Sequence, residues 1–270
     1  MDISAYFHRI GYNGAAKPDL HTLKAIHRAH VFAIPFENLD VQLGRPISAA
    51  PEAVFDKIVS RRRGGWCYEM NGLFGWALET IGFDVIRLAG AVDRISMGDK
   101  AIGNHLALIV MLDEPWLADA GFGMGLVEPT PLKEGRFLNG FLSSELQRIE
   151  DGWWRYVGHE HGDASTYDFH PNIRDETLLD KNRYWLQHNA QSPFVMNLVA
   201  QRWREHEHVC LRGRVLTRQT RAHKTKETLP DQHAYVAVLR DAFGLEEPDA
   251  ASLWPQICNR HEALFSRPSD

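Results

Sequence analysis

Residues 63–72 read Arg63-Gly64-Gly65-Trp66-Cys67-Tyr68-Glu69-Met70-Asn71-Gly72, a glycine-rich turn that hands a cysteine to the start of a helix. Downstream, Met70, Leu73, Phe74, Ala77, Leu78 and Ile81 recur at i, i+3, i+4, i+7, the stripe of a helix buried on one face, and Gly82 stands where a C-terminal stop is expected. A cysteine at such a helix start meets free main-chain N–H groups and the positive end of the helix dipole. Both favour the thiolate, the nucleophilic form of the side chain. The two glycines before it would let a substrate carbonyl approach the backbone closely. The plainer alternative is a small buried residue in a first helical turn, since unreactive buried cysteines are common.

Working outward, residues 20–31 and the segment opened by Pro51 through Val54, Phe55 and Ile58 carry apolar side chains at helical spacing, so the N-terminal third reads as helical. From Asp84 the character changes to short apolar runs, 85–92, 105–112 and 116–120, separated by Gly, Asp, Asn and Pro. These predict antiparallel strands, and 148–167 continues in the same style. A helix is expected over 180–188, strands again after Ser192-Pro193, including 209–216, and a helix over 230–243. With no internal repeat, the simplest partition is an α+β chain of three domains: helical over 1–84, β over 85–190, and α/β over 191–270.

A chain of 270 residues, 44% of them hydrophobic, is long enough to bury several cores. Thirty basic against 35 acidic residues give a net charge of -5, which lacks the basic footprint of a nucleic-acid binder. The opening MDISAYFHRIGYNG has no apolar run of a signal peptide, and no later stretch reaches bilayer-spanning length, so a cytoplasmic protein with no membrane partner is expected. Cys67, Cys210 and Cys258 are odd in number and widely spaced, which predicts free thiols. Cys210 and Cys258, set in apolar surroundings, read as inert packing residues. His159 with His161, and His206-Glu207-His208, lack a third ligand at a convincing spacing. They read as solvated histidines, and no metal is expected.

A nucleophilic cysteine needs a base and a group to orient that base. His105 leads the apolar run His105-Leu106-Ala107-Leu108-Ile109-Val110, and Asp119 lies between apolar residues and glycines in Trp116-Leu117-Ala118-Asp119-Ala120-Gly121-Phe122-Gly123. Ionisable residues in such settings are unusual unless paired. Taken singly, each also suits a plainer role, a strand-end histidine or a turn aspartate. A regular hairpin turning at Asp113-Glu114 would put them neither opposite one another nor on one face, so their pairing requires a bulge or an irregular turn.

The block around Cys67, together with Ile34-Pro35-Phe36-Glu37-Asn38-Leu39-Asp40, His105 at its strand start and Asp119-Ala120-Gly121-Phe122-Gly123, resembles the arylamine N-acetyltransferase family in the order and separation of its signature segments. The resemblance implies a helical bundle, a β-barrel and an α/β lid, with a Cys-His-Asp core of cysteine-protease kind formed by Cys67, His105 and Asp119. It implies transfer of acetyl from acetyl-CoA, through an acetyl-cysteine, to an arylamine, an arylhydrazine or the oxygen of an N-hydroxyarylamine. Phe36 corresponds to the family's aromatic pocket residue and Phe122 would share that cleft. Gly121, Gly123 and Gly125, with Asn104, are expected to face CoA. Arg63, Glu37 and Glu69 are expected to form a structural ion-pair network. The chain departs from the common pattern at Met70, where glutamine is usual, and at Asn104, where threonine is frequent.

On the same fold logic the rivals are an amide synthase closing a macrolactam, a hydrolase of transglutaminase or papain type, and a non-catalytic protein binding CoA or an aromatic ligand. Expected partners are a small arylamine or hydrazine and CoA, not nucleic acid, and a homodimer is admitted.

Overall fold

The computed structural model describes residues 1–159 and 166–265. The first third is helical: Ile3–Ile10, Leu20–Ala33 and Cys67–Ile81 are its principal helices. Two of them open on aspartates, with Asp2 accepting from Ser4 N at 2.9 Å and Asp19 from Thr22 N at 2.8 Å. Each cap satisfies one of the main-chain donors that a helix start leaves free. The helix Cys67–Ile81 stops at Gly82, whose φ of 106° lies in the left-handed region where L side chains are strained. The segment opened by Pro51 is not one regular helix but Pro51–Phe55 running into a wider-wound turn, Asp56–Ser60.

Two antiparallel sheets follow. The larger has the order β5-β4-β3-β2-β9-β8-β7-β6, with β2 Asp84–Val92, β3 His105–Met111, β4 Pro115–Leu117 and β5 Thr130–Pro131 on one side. Strands β6 Gly135–Asn139, β7 Leu142–Arg148, β8 Trp154–Val157 and β9 Thr166–Phe169 complete it. This sheet is open among the described residues, with β5 and β6 at its edges, so the β-barrel that the resemblance implied is present as a half-barrel. β5 is two residues long and contains Pro131, which has no N–H to donate, so it makes a poor partner for further pairing.

The smaller sheet has the order β1-β10-β11-β12-β13, where β10 is Val199–Trp203, β11 His208–Arg212, β12 Val215–Gln219 and β13 Lys224–Thr228. Its edge strand β1, Phe36–Glu37, comes from the N-terminal third, with Phe36 opposite Gln201. The expected single strand over 209–216 is a hairpin instead: it turns after Arg212 and returns as β12, with Arg212 opposite Val215.

The main core lies where the helices press on β3. Phe74, Ala77 and Leu78 of the helix Cys67–Ile81 pack with Leu23 and Ile26 of the preceding helix and with Leu108 and Val110 of the strand. Truncating a fully buried side chain such as Phe74 to alanine costs about 3–5 kcal/mol. That packing fixes the first turn of the cysteine helix against the first residue of β3. Among the described residues no helix is long and apolar enough to cross a membrane.

Candidate active site

Cys67 is the first residue of its helix and 4% exposed. The turn that delivers it is strapped to β1: Glu37 N donates to Gly65 O at 2.9 Å and Gly65 N to Pro35 O at 3.3 Å. A Cβ on Gly64 would lie 2.1 Å from the Pro35 carbonyl oxygen, and one on Gly65 would lie 2.8 Å from Cβ of Glu69. These glycines therefore admit the protein's own backbone and the Glu69 side chain, not a substrate carbonyl as the sequence suggested. Arg9, buried, donates to Ile58 O at 2.9 Å, to Ala33 O at 3.0 Å and to Arg63 O at 3.2 Å. It thus ties the turn to two helical segments.

The charges around this turn form one buried network. Arg63 Nη2 lies 2.8 Å from Glu37 and 3.3 Å from Asp40, and its Nη1 meets Glu247. Glu69 pairs with Lys57 at 2.9 Å, and Lys57 also meets Asp40 at 2.8 Å. The expected network is present, although Glu69 pairs with Lys57 rather than with Arg63. Burial would lower the Lys57 ammonium, but Glu69, Glu37 and Asp40 together hold it above its usual value.

His105 opens β3 opposite Gly90, and its Nε2 lies 2.6 Å from Asp119 Oδ2. With that nitrogen used, Nδ1 is the one left for Cys67, which is near enough to the ring to favour its charged form. The turn between β3 and β4 resolves the parity problem. The ladder pairs Ile109 with Leu117, Val110 with Trp116 and Met111 with Pro115, and Leu112 N donates to Glu114 O within the turn. Three residues thus separate the strands, not two. Extending that register sets Asp119 opposite Ala107, hence on the face of His105.

Asp119 is 1% exposed and His105 2%. Burial pushes the imidazole down, but the Asp119 charge and hydrogen bond, with Cys67 on the other side, outweigh it and raise His105 to about 10. Burial pushes Asp119 up, and the His105 charge, with hydrogen bonds from His105, Asn71 and Gly121 N, brings it below the usual carboxylate range. Asn71 is a residue that sequence reasoning missed. It donates to Asp119 Oδ1 at 2.7 Å and to Leu106 O at 2.6 Å, and its own oxygen accepts from Ala120 N at 2.9 Å. Its spacing of four from Cys67, which puts both on one helical face, was the available signal.

Cys67 and His105 line a cavity of ≈ 1060 Å³ together with Phe36, Phe122, Gly121 and Asn104. The Phe122 ring lies against His105 at 5.4 Å between centroids, and Tyr167, a second residue the sequence did not flag, lies at 4.8 Å. Gly121 is tight against the cysteine turn, where a Cβ would meet Cys67 Cα at 3.0 Å and Asn71 Nδ2 at 2.7 Å. Gly123 and Gly125 do not line the cavity. A Cβ on Gly123 would meet the Gln201 amide, and Gly125 backs onto Phe122 while its carbonyl accepts from Asn139 at 3.0 Å. Asn104 reaches the cavity wall, but its amide is taken up by the Val92 main chain, with Oδ1 accepting at 2.7 Å and Nδ2 donating at 3.0 Å.

Among the described residues no group of three or more His, Cys, Asp or Glu could hold a metal ion, and His161 lies outside them. His208 is not a solvated histidine: it is 2% exposed on β11, its ring 4.9 Å from Trp203. Cys210 is buried in the same strand.

The chain matches the N-acetyltransferase family over residues 19–250. It is 34% identical to an arylamine N-acetyltransferase of Mycolicibacterium smegmatis, over 93% of this chain and 94% of that protein. To the Escherichia coli K12 arylamine N-acetyltransferase it is 33% identical, over 92% and 90%. Among solved structures, the Mycobacterium marinum arylamine N-acetyltransferase in complex with CoA superposes with a TM-score of 0.85 at 32% identity, covering 95% of this chain and 98% of that one.

Proposed function

The chain belongs to the arylamine N-acetyltransferase family, and from that premise we propose that it carries acetyl from acetyl-CoA through Cys67 to an aromatic amine, an arylhydrazine or the oxygen of an N-hydroxyarylamine. One observation carries the reading: Cys67 and His105 share the wall of one cavity, with the Asp119 carboxylate held on the far nitrogen of the ring.

In the first half-reaction the Cys67 sulfur, its proton passed to His105, attacks the thioester carbonyl carbon. The C–S bond to CoA breaks and the leaving thiol takes the proton from His105. The Cys67 main-chain N–H, at the first helical position, suits the developing oxyanion. In the second half-reaction an aniline-type amine, largely unprotonated at neutral pH, attacks the acetyl-cysteine. Its N–H proton goes to His105, and Cys67 sulfur leaves as the new amide forms. Asp119 keeps the ring oriented and stabilises its cation throughout. A cavity this size has room for a thioester arm and an aromatic ring beside Phe36 and Phe122.

The test is intact-protein mass after mixing with acetyl-CoA alone, then with 5-aminosalicylate or hydralazine, with Cys67→Ala as control. Wild type should gain one acetyl group that the amine removes, and the variant none. Absence of both adduct and CoA release, even with amine present, would rule out acetyl-CoA as donor.

A further inference from the structure

Gln201 stands on β10 directly opposite Phe36 of β1, and both line the cavity that holds Cys67. Its side chain is 8% exposed, yet Oε1 is buried without a hydrogen-bond partner. A buried amide oxygen left without a donor is unfavourable, and where its side chain forms part of a cavity wall a bound ligand can supply the donor. The surroundings are shaped to hold that amide. Gly123, at φ 69°, passes so close that a Cβ there would lie 2.9 Å from both its oxygen and its nitrogen. Gln201, Asn197, Met124 and Arg212 line both this cavity and a second hollow of ≈ 280 Å³. The amide that carries the orphan oxygen therefore lies beside the expected aromatic pocket, in a wall shared by two cavities, and no step of the acyl transfer uses it.

We infer that Gln201 is a specificity-determining residue whose Oε1 accepts an N–H of the substrate bound beside Phe36. The inference rests on the acyl-transfer reading. Two substrates of that reaction carry suitable donors, the amine or hydrazine acceptor and the amide-bearing pantetheine arm of CoA, and the half-reactions separate them.

The experiment measures each half-reaction singly by rapid-quench intact mass: acetylation of Cys67 by acetyl-CoA, then its removal by hydralazine and by 5-aminosalicylate. The proteins compared are wild type, Gln201→Met, which keeps length and loses the acceptor, and Gln201→Glu, which keeps an acceptor oxygen. The Met variant should lose about tenfold in the second-order rate constant of one half-reaction, with the loss in the saturation constant rather than in the limiting rate, and Glu should restore most of it. Loss in the second half assigns the N–H to the acceptor, and loss in the first assigns it to pantetheine. Rates within twofold of wild type in both halves overturn the inference. So do equal losses for Met and Glu accompanied by a lowered thermal midpoint, which mark a packing role. A wild type that never takes up acetyl overturns the acyl-transfer reading instead, a failure visible before any variant is tested.

Discussion

Asn71 donates to the Asp119 carboxylate at 2.7 Å from a position one helical turn beyond Cys67. The helix that presents the sulfur thus also holds the acid that orients the base, so a shift of the helix moves both together. Hydrogen bonds to a buried charge are worth about 1.5–3 kcal/mol. Asn71→Ala should accordingly lower kcat/KM for acetyl transfer by about 10- to 100-fold, while the intact fold is checked by circular dichroism. Wild-type kinetics in a folded Asn71→Ala protein would mean that β3 and β4 alone position Asp119.

The His105–Asp119 pair makes a signed prediction about pH. His105 is raised to about 10 in the fold, against about 6.5 in an unfolded chain. Its contribution to stability is therefore complete below about pH 6.5 and is lost as pH rises through about 10. In Asp119→Asn the largest upward push is gone and burial drives the ring toward its neutral form. The difference in thermal midpoint between wild type and Asp119→Asn should be widest at and below neutral pH and should narrow toward pH 10. A gap that stays constant from pH 6 to pH 10 would mean that the pair carries no such linkage. Acetyl transfer by the variant at pH 7 should fall by about 10³-fold or more, as for other triads whose orienting acid is neutralised.

Much of this site was legible in residues 63–123. The helix after Cys67 and its stop at Gly82 follow from periodicity and from a residue free to adopt positive φ. His105 and Asp119 stood out because charge in an apolar strand needs a partner. Their common face was hidden, since one residue more in the 112–114 turn reverses the parity of everything after it. The hairpin within 209–216 had a local signal that a single-strand reading passed over, since Arg212-Gly213-Arg214 sets two charges about a glycine at its turn. The glycines before Cys67 were misread because their neighbours are Pro35, nearly thirty positions away in the chain, and Glu69 one helical turn ahead. Gln201 gave no sequence signal at all, since only strand pairing brings it beside Phe36.

Lys57 pairs with two buried acids, Glu69 at 2.9 Å and Asp40 at 2.8 Å, and among these cations it alone meets Glu69. Breaking a buried pair from one side costs about 3–5 kcal/mol, because the remaining charge stays desolvated. Lys57→Met should lower the thermal midpoint by on the order of 10 °C. Burial already pushes Glu69 up, and Lys57 opposes that push. Without the lysine, Glu69 rises further and the variant should lose stability as pH rises through that higher value. Thermal melts at pH 5 and pH 8 check this, and a deficit larger at pH 5 would contradict it.

Two glycines eight positions apart should respond to alanine in opposite directions. Gly64 lies outside the helix, where a Cβ would stand 2.1 Å from the Pro35 carbonyl oxygen, a main-chain atom that cannot move without displacing β1. Gly64→Ala should therefore destabilise the protein by about 1–3 kcal/mol or more and disable acetylation of Cys67, since the turn it distorts ends at the sulfur. Gly72 lies inside the helix Cys67–Ile81, has no atom within 4 Å of a Cβ, and is not among the positive-φ glycines. Alanine there removes the conformational freedom that glycine keeps in the unfolded chain, so Gly72→Ala should stabilise by about 0.5–1 kcal/mol and leave the half-reactions unchanged. Denaturant melts of the two variants, read beside the acetyl-enzyme assay, decide the matter. If Gly72→Ala proves destabilising, the second turn of this helix packs more tightly than its open space implies, and the cysteine's support extends further along the helix than its first turn.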